Sequence, residues 1–332
     1  MIQKLFVFFM AAFSALTVNG QQEPPGERVI AFASDTQAPM WVETILLRSR
    51  QNKTATRLLF EDVARRQPAS LFILGDVVNL GYSERQWKPI DRYLEHLRTK
   101  DIPVHAILGN HEVMGRAREG ERKFQERFPN HSRTGFAEVI DSVAVILLNS
   151  NFNTLTRAEN EQQVKWYRET LAAFDADSSV RCIITTCHHS PFTNSKIVKP
   201  SNEVQERFVP LYLASRKSQL FLSGHCHAFE HYRVKGKDFM VIGGGGGLNQ
   251  PLRQGIGTLA DLAQDYKPLF HYITVKRIDD RLHVSSVHIR EDFTAFEEGQ
   301  AFDINSQTEA AYTHLNHLPG SSTAGPAPSQ KQ

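Results

Sequence analysis

The segment "SLFILGD", residues 70–76, is a short apolar run that ends directly in a glycine and an aspartate. Two more runs have the same form, "ERVIAFASD" at 27–35 and "PVHAILGNH" at 103–111. Short runs rich in Val, Ile, Leu and Phe are typical of strands buried on both faces. The pattern returns in "VAVILLN" at 143–149, "VRCIITTCH" at 180–188 and "SQLFLSGH" at 218–225.

Helical stretches separate the early runs. They are predicted at 41–66, 83–100, 116–128 and 156–174, the last opened by a capping box between Thr156 and Glu159. Strands that alternate with helices predict a layered α/β domain. After His225 the pattern changes to short alternating strands, so we expect a sandwich of two sheets around one core, with these later strands mostly in the second sheet. They lie at 228–234, 238–243, 269–278 and 281–289.

The composition is that of an ordinary globular protein. Of 332 residues, 41% are hydrophobic and 22% charged, which excludes a disordered or fibrous chain. A net charge of +2 gives no electrostatic reason to expect nucleic acid or a membrane surface as partner. The composition therefore points to a folded domain that can bury a sizeable core.

The two ends of the chain differ from the middle. Residues 1–20 have an early cation, Lys4, and an apolar run at 5–16, the layout of a secretory signal peptide. A membrane anchor or a buried helix is the alternative, although the run is shorter than a span needs. We therefore expect a secreted or periplasmic protein without stable membrane insertion, with a domain at 27–297 and a polar, disordered tail at 298–332.

Polar side chains of metal-binding type follow the predicted strands again and again. Each alone could be a turn residue or a helix cap. Because ligands bind beyond the carboxyl ends of strands in sheets of this kind, their recurrence favours one shared site. Carboxylates, an amide oxygen and imidazoles together suit first-row divalent metals. The residues are Asp35, Asp76, Asn110, His111, His188, His225 and His227.

The cysteines do not form a disulfide framework. Cys182 and Cys187 lie five apart on one predicted strand, so their side chains should point to opposite faces. Cys187 and Cys226 neighbour candidate ligands, and we expect them to pack behind the site. By strand alternation His225 and His227 should face one side and Cys226 the other. The glycine run at 243–247 should let the backbone pass close beneath the site.

These blocks resemble the calcineurin-like metallophosphoesterases, the class that includes the purple acid phosphatases. The resemblance covers about residues 28–290, and the order of the blocks is more specific than any block alone. It implies a four-layer α/β/β/α sandwich of two mixed β-sheets flanked by helices. The matching blocks are Asp35-x-Gln37, Gly75-Asp76-x-x-Asn79, Gly109-Asn110-His111-Glu112, His188 before Ser190-Pro191, and Gly224-His225-x-His227.

The resemblance also implies roles for single residues. Asp35, Asp76 and His227 would hold one divalent metal ion; the second would be held by Asp76, Asn110, His188 and His225. His111 resembles the histidine that contacts phosphate and protonates the leaving oxygen while a metal-bound hydroxide attacks in line. The catalytic pair would thus be His111 and Asp76, and the metals could be Mn, Fe, Zn or Mg.

Two histidines follow one strand, and only one of them can point at the metals. The family pattern favours His188 as the ligand, while His189 would face the substrate together with Asn110 and His111.

The first block departs from the usual pattern of this class, which has histidine where this chain has Gln37. A neutral amide oxygen is a poorer ligand than imidazole, so the first ion would be held more weakly. We therefore expect an exported metal-dependent phosphoesterase that favours small phosphomonoesters. The alternatives are a phosphodiesterase or nucleotide pyrophosphatase at the same site, and a non-catalytic binding module with a degenerate first metal site. The sequence gives no signal on oligomeric state.

Overall fold

The computed structural model describes residues 28–40, 43–45, 47–48 and 50–304. The predicted signal peptide at 1–20 lies outside the described residues, as does the chain after residue 304. Within the part that is described, no helix is long and apolar enough to cross a membrane.

The first sheet has six strands in the order β12-β11-β10-β1-β2-β3. The three strands that precede the early candidate ligands run parallel, and the late strands add antiparallel to the free edge of β1. This is a mixed sheet that joins both ends of the domain. Its strands are β1 (Ile30–Ala33), β2 (Ser70–Ile73), β3 (Val104–Ala106), β10 (His271–Ile278), β11 (Arg281–Ile289) and β12 (Phe296–Ile304).

The second sheet is mixed as well, with the order β4-β5-β6-β7-β9-β8. Four central strands are parallel, and an antiparallel strand closes each edge. Its strands are β4 (Phe136–Ile140), β5 (Val143–Leu148), β6 (Cys182–Cys187), β7 (Ser218–Ser223), β8 (Phe229–Val234) and β9 (Lys237–Ile242).

In the described part of the chain, seven α-helices cover the sheets or lie in the loops. The capping box predicted at Thr156 is present, because its side chain accepts the N–H of Glu159 at 3.2 Å and the Glu159 carboxylate accepts the N–H of Thr156. The helices are α1 (Asn52–Arg66), α2 (Glu84–Arg98), α3 (Asn110–Val113), α4 (Ala117–Arg127), α5 (Arg157–Ala176), α6 (Asn202–Arg207) and α7 (Val209–Ala214).

Three apolar clusters define the layers. Along β1, Ile30 and Phe32 face the second sheet, while Ala31 and Ala33 face α1 and α2, as the two-residue period of a strand requires. A third cluster packs α5 and α7 on the outer face of the second sheet. The expected four-layer α/β/β/α sandwich of two mixed sheets is therefore confirmed.

Three sequence predictions need correction. The late strands are not mostly in the second sheet. Strands β10 to β12 belong to the first sheet, where they cover the edge of β1. The helix predicted over 41–66 begins only at Asn52, after a 3₁₀ turn at Glu43–Ile45 and a left-handed Gln51. The tail predicted from Glu298 is strand as far as Ile304, since β12 pairs with β11.

Candidate metal centre

The candidate ligands lie in tight turns at one edge of the two sheets. Asp35, Asp76 and His225 all have left-handed backbones, with φ of 57°, 51° and 67°. This conformation is uncommon for residues other than glycine, and it persists where the surroundings enforce it. The main-chain N–H of His225 donates to both carboxylate oxygens of Asp35, at 3.2 and 3.0 Å. The loops after β1 and β7 are thus joined at the site.

One half of the site gathers Asp35, Gln37 and His227. Nε2 of His227 lies 3.3 Å from Oδ1 of Asp35, and its Nδ1 bonds the carbonyl oxygen of Leu248 at 2.8 Å. That carbonyl accepts the proton of Nδ1, so Nε2 is the nitrogen that faces the carboxylate and that a metal ion would use. His227 is therefore held in the tautomer that a metal ligand needs.

The side-chain amide of Gln37 has one orientation that satisfies its neighbours. Its nitrogen then donates to the main-chain oxygens of Asp35 and Asp76, at 3.1 and 2.8 Å. The other terminal atom of the amide lies 3.3 Å from Nε2 of His227, and in this orientation it is the oxygen. Gln37 thus presents an oxygen toward the ligand nitrogen of His227.

The other half gathers Asp76, Asn110 and His188. Nε2 of His188 lies 3.2 Å from Oδ2 of Asp76 and 3.1 Å from Oδ1 of Asn110. Its Nδ1 bonds the carbonyl oxygen of Leu74 at 2.9 Å, so this histidine is held in the same way as His227. Ligand atoms of Asp35, Asp76 and His188 all lie within 4.8 Å of one another, which brings the two halves together.

His189 lies beside the ligands as well. Its ring centroid is 4.6 Å from that of His225 and 5.0 Å from that of His188, and ligand atoms of these three histidines lie within 4.8 Å of one another. Nδ1 of His189 pairs with the hydroxyl of Ser150 at 2.8 Å, and this contact was not predicted because the two residues are 39 positions apart in the chain. Its other ring nitrogen remains for a ligand or a substrate.

His111 is buried next to Asp76. Its main-chain N–H donates to Oδ1 of Asp76 at 2.9 Å, and its ring Nδ1 pairs with the carbonyl oxygen of Asn79 at 3.1 Å. Nε2 of His111 lies 3.8 Å from Oδ2 of Asp76, beyond hydrogen-bond range. His111 therefore borders the ligand cluster with one ring nitrogen available.

Glu112 joins the loop after β2 to the loop after β3 through hydrogen bonds. Its carboxylate accepts main-chain N–H groups from Asp76, Val78 and Gly109, at 2.9, 3.0 and 2.7 Å. Burial, and then the negative charge of Asp76, raise the pKa of Glu112 to about 7. Glu112 ends the block Gly109-Asn110-His111-Glu112, and no role was predicted for it. The sequence signal for such a role is a carboxylate that directly follows two candidate site residues, here Asn110 and His111, in a tight turn.

Glycines make the close packing around the ligands possible. A Cβ on Gly109 would lie 2.1 Å from Oδ1 of Asp76, and a Cβ on Gly247 would lie 2.4 Å from the ring of His227. The N–H of Gly247 donates to the carbonyl oxygen of Asp35 at 2.9 Å. The glycine run thus passes directly beneath the site, as expected.

The charges of the site favour a cation. Burial opposes ionisation of Asp76, yet His188 and then His111 hold the pKa of this carboxyl well below its usual range. Burial also opposes the charged form of His188 and so lowers its pKa, but the negative charge of Asp76 outweighs burial and raises this pKa to about 9. The buried carboxylates therefore favour a positive charge at this position, and a divalent ion bound by the oxygen atoms and the neutral imidazoles would supply it in place of the proton.

Two details differ from the sequence reasoning. Strand β7 ends at Ser223, so strand alternation does not orient His225 and His227; the left-handed turn at His225 does. Cys187 and Cys226 are free and buried in the apolar cluster beneath α5 and α7, and Cys182 belongs to the cluster between the sheets. Cys182 and Cys187 thus face opposite sides of β6, as predicted.

The family follows from a match to residues 28–229. These residues match the family model of the calcineurin-like phosphoesterases. The chain belongs to this family. A calcineurin-like phosphoesterase is a hydrolase of phosphate esters, and the candidate ligands described above agree with a metal-dependent member. A search of the curated proteins gave no significant match.

Several solved structures share the fold. A purple acid phosphatase from yellow lupin (Lupinus luteus) seeds superposes with a TM-score of 0.63 at 14% identity, covering 84% of this chain. This chain spans about half of the lupin protein, 54% of its length.

Two further structures are matched by this chain over a larger share of their own length. GAP50, the anchor in the inner membrane complex of Plasmodium, has a TM-score of 0.60 at 13% identity, covering 84% of this chain and 89% of its own. A dimetal phosphatase from Danio rerio has a TM-score of 0.53 at 12% identity, covering 84% and 99%. At such identities the likeness is one of fold.

Proposed function

We propose that this calcineurin-like phosphoesterase is an exported phosphatase that favours small phosphomonoesters and uses two divalent metal ions. The observation that carries the proposal is the position of His111: Nε2 lies 3.8 Å from Asp76 and outside the hydrogen-bonded ligand pairs. A histidine at the rim of a cation site suits proton transfer to a departing oxygen.

The two halves of the site suit one ion each. Asp35, Gln37 and His227 would hold the first, and Asn110, His188 and His225 the second, with Asp76 shared by both. Bound divalent ions neutralise phosphate charge and lower the pKa of a coordinated water. The inward oxygen of Gln37 supports its role as a ligand in place of the histidine that is usual in this class.

His111 would act as the acid. The carbonyl oxygen of Asn79 keeps a proton on Nδ1, so proton donation has to come from Nε2. In the protonated ring Nε2 carries the hydrogen that an alkoxide leaving group needs.

Asn110 and His189 would orient the phosphate. Asn110 lies at the start of α3 beside His188, and its amide nitrogen can donate to a phosphate oxygen while the carbonyl oxygen faces His188. The ring of His189 is positioned by Ser150 and stands against His225. Together they would recognise the charged end of any phosphate ester.

The preference for monoesters and the export rest on the sequence. A net charge of +2 provides little attraction for a polyanionic nucleic acid, which argues against a nuclease. The layout of residues 1–20 is that of a signal peptide, which is the basis for proposing a secreted or periplasmic location.

The test is a substrate comparison on one protein preparation. The full chain is purified, loaded with Mn, Fe, Zn or Mg in turn, and assayed on an aryl phosphate monoester, the matching diester and a nucleotide pyrophosphate. The proposal expects turnover that disappears on chelation, returns on metal addition and is fastest on the monoester. Faster turnover of the diester or the pyrophosphate would show that the same site acts as a phosphodiesterase or nucleotide pyrophosphatase instead.

Metal analysis separates the enzyme from a binding module. About two ions per chain after reconstitution supports the dinuclear site. A folded chain that takes up no metal and hydrolyses none of the three substrates would overturn the proposal.

A further inference from the structure

The first residue of α1, Asn52, contacts the glycine run that passes beneath the candidate metal centre. Its side-chain amide nitrogen donates to the carbonyl oxygen of Gly246 at 2.8 Å and to that of Gly247 at 3.0 Å. Its amide oxygen accepts the N–H of Arg50 at 2.8 Å. Asn52 is only 3% exposed, so water does not compete for these bonds. The amide therefore has one orientation, and both of its hydrogens hold carbonyl oxygens of the glycine run.

Thr56 adds to this contact from the next turn of α1, on the same face of the helix as Asn52. Its hydroxyl oxygen lies 3.2 Å from the carbonyl oxygens of Asn52, Thr36 and Gly245. A hydroxyl donates a single hydrogen bond, so it pairs with one of these oxygens at a time. The start of α1 thus contacts both the glycine run and the loop after β1.

The glycine run and the loop after β1 are also joined directly. The N–H of Gly245 donates to the carbonyl oxygen of Ser34 at 2.9 Å, and the N–H of Gly247 donates to that of Asp35 at 2.9 Å. Five successive glycines have no side chains that could fix their own conformation. Their position therefore depends on these main-chain bonds and on the amide of Asn52.

The end of the glycine run orients His227. The carbonyl oxygen of Leu248, the residue after Gly247, pairs with Nδ1 of His227 at 2.8 Å. The N–H of Gln250 donates to the carbonyl oxygen of His227 at 3.0 Å. Because a peptide group is planar, Asn52 fixes the whole peptide between Gly247 and Leu248 when it holds the carbonyl of Gly247. Asn52 therefore acts on the ring of His227 through the peptide that it binds.

The other half of the metal centre is held by different parts of the chain. The ring of His188 is oriented by the carbonyl oxygen of Leu74 at 2.9 Å. The carboxylate of Glu112 accepts the N–H of Gly109, the residue before Asn110, at 2.7 Å. These partners belong neither to α1 nor to the glycine run. A change at the start of α1 should therefore reach one half of the centre and spare the other.

We propose that Asn52 is a positioning residue for one of the two metal ions. By holding the glycine run, it orients the half of the centre formed by Asp35, Gln37 and His227. This inference rests on the two-ion site of the proposed function. Asn52 is not a ligand itself, because the hydrogens and the oxygen of its amide are bound to main-chain groups. Its effect is on the affinity for one ion, and Thr56 supports the same contact.

The test is calorimetric titration of the metal-free full chain with Zn²⁺ and, separately, with Mn²⁺, in the absence of substrate. The native chain should show two binding steps. Asn52→Leu keeps the branched shape of the side chain but removes the donor, so one step should become about 10- to 100-fold weaker while the other changes little. In the double variant with Gln37→Ala still only one step should be weakened, since both changes act on the same ion.

Asn160→Leu is the matched control. Asn160, on α5, also donates its side-chain amide to two main-chain carbonyl oxygens, those of Phe152 and Leu155, at 3.0 and 3.4 Å. Urea unfolding should show that both variants are less stable than the native chain. Both metal-binding steps should nevertheless be unchanged in Asn160→Leu. If Asn52→Leu does not fold, Thr56→Val removes one hydroxyl at nearly constant volume and should weaken one step about tenfold.

The outcomes separate this inference from the proposed function. Two binding steps in the native chain that stay unchanged in Asn52→Leu and Thr56→Val would overturn the inference and leave the two-ion site standing. Equal weakening of both steps in Asn52→Leu, or the same weakening in Asn160→Leu, would overturn it as well, because the effect would then be a general loss of stability. A native chain that binds no metal would overturn the proposed function, and the role of Asn52 with it.

Discussion

The buried carboxylate of Glu112 holds the main chain of Asp76: Oε2 accepts the N–H of Asp76 at 2.9 Å and that of Gly109 at 2.7 Å, and Oε1 accepts the N–H of Val78 at 3.0 Å. These three bonds join the loop after β2 to the loop after β3. Asp76, which we propose as a ligand of both ions, thus keeps its left-handed turn through a residue outside the proposed ligand set.

Glu112→Gln should weaken this support. A glutamine offers one acceptor oxygen, and its NH₂ group would face a main-chain N–H. We expect the free energy of unfolding to fall by about 1–3 kcal/mol and the metal affinity to fall by about 10- to 100-fold. Urea unfolding and metal titration measure the two effects. Glu169→Gln, on the exposed face of α5, is the matched control, and equal behaviour of the two variants would contradict the role given to Glu112.

His111→Ala should retain the metals and lose turnover. Because the available Nε2 lies 3.8 Å from Asp76 and outside the ligand pairs, removal of the ring leaves the donor set intact. A decrease in kcat of about 10²- to 10⁴-fold is expected for a lost general acid. Metal content and steady-state kinetics are measured on the same sample, with His96→Ala as control. Loss of metal in His111→Ala would mean that this histidine is a ligand.

Gln37→Ala should lower the affinity for one of the two ions. The amide oxygen is directed at the site because its nitrogen is held by the main-chain oxygens of Asp35 and Asp76. We expect one ion to bind about 10- to 100-fold more weakly and the other to be little changed. Calorimetric metal titration resolves the two steps, and Gln162→Ala on α5 serves as control. Two unchanged binding steps would exclude Gln37 as a ligand.

Stability should fall in acid through His131. Its pKa is about 4 in the folded chain and 6.5 as the ordinary value, because burial disfavours the charged ring. Between these values the unfolded chain binds more protons, so the free energy of unfolding decreases as pH falls below 6.5. His131 should account for about 2 kcal/mol of the loss between pH 7.5 and 5.

Variants isolate this contribution. The pH dependence of urea unfolding should become shallower by that amount in His131→Leu, while His96→Leu should follow the native curve because His96 is exposed. Parallel curves for the native chain and His131→Leu would show that His131 does not titrate as a buried neutral ring.

Much of the fold could be predicted from local pattern. Apolar runs such as 143–149 and the capping box at Thr156 depend on neighbours in sequence, and the structure has a strand and a helix there. The return of β10 to the edge of β1 could not be predicted, because the pairing of Ile30 with Val275 joins positions 245 residues apart. Local pattern also gave no sign that the chain from Glu298 to Ile304 belongs to a strand rather than to a polar tail.

The residues that follow the strands, and therefore the donor chemistry from Asp35 to His227, can be read from the amino-acid sequence. The way these donors face one another depends on contacts that form only in the folded chain. The amide of Gln37 is oriented by two main-chain oxygens, the rings of His188 and His227 by the carbonyls of Leu74 and Leu248, and Asp76 by Glu112. Most of these partners are main-chain atoms brought close by folding. Main-chain groups are the same in every residue, so the sequence does not reveal which of them will meet a given side chain.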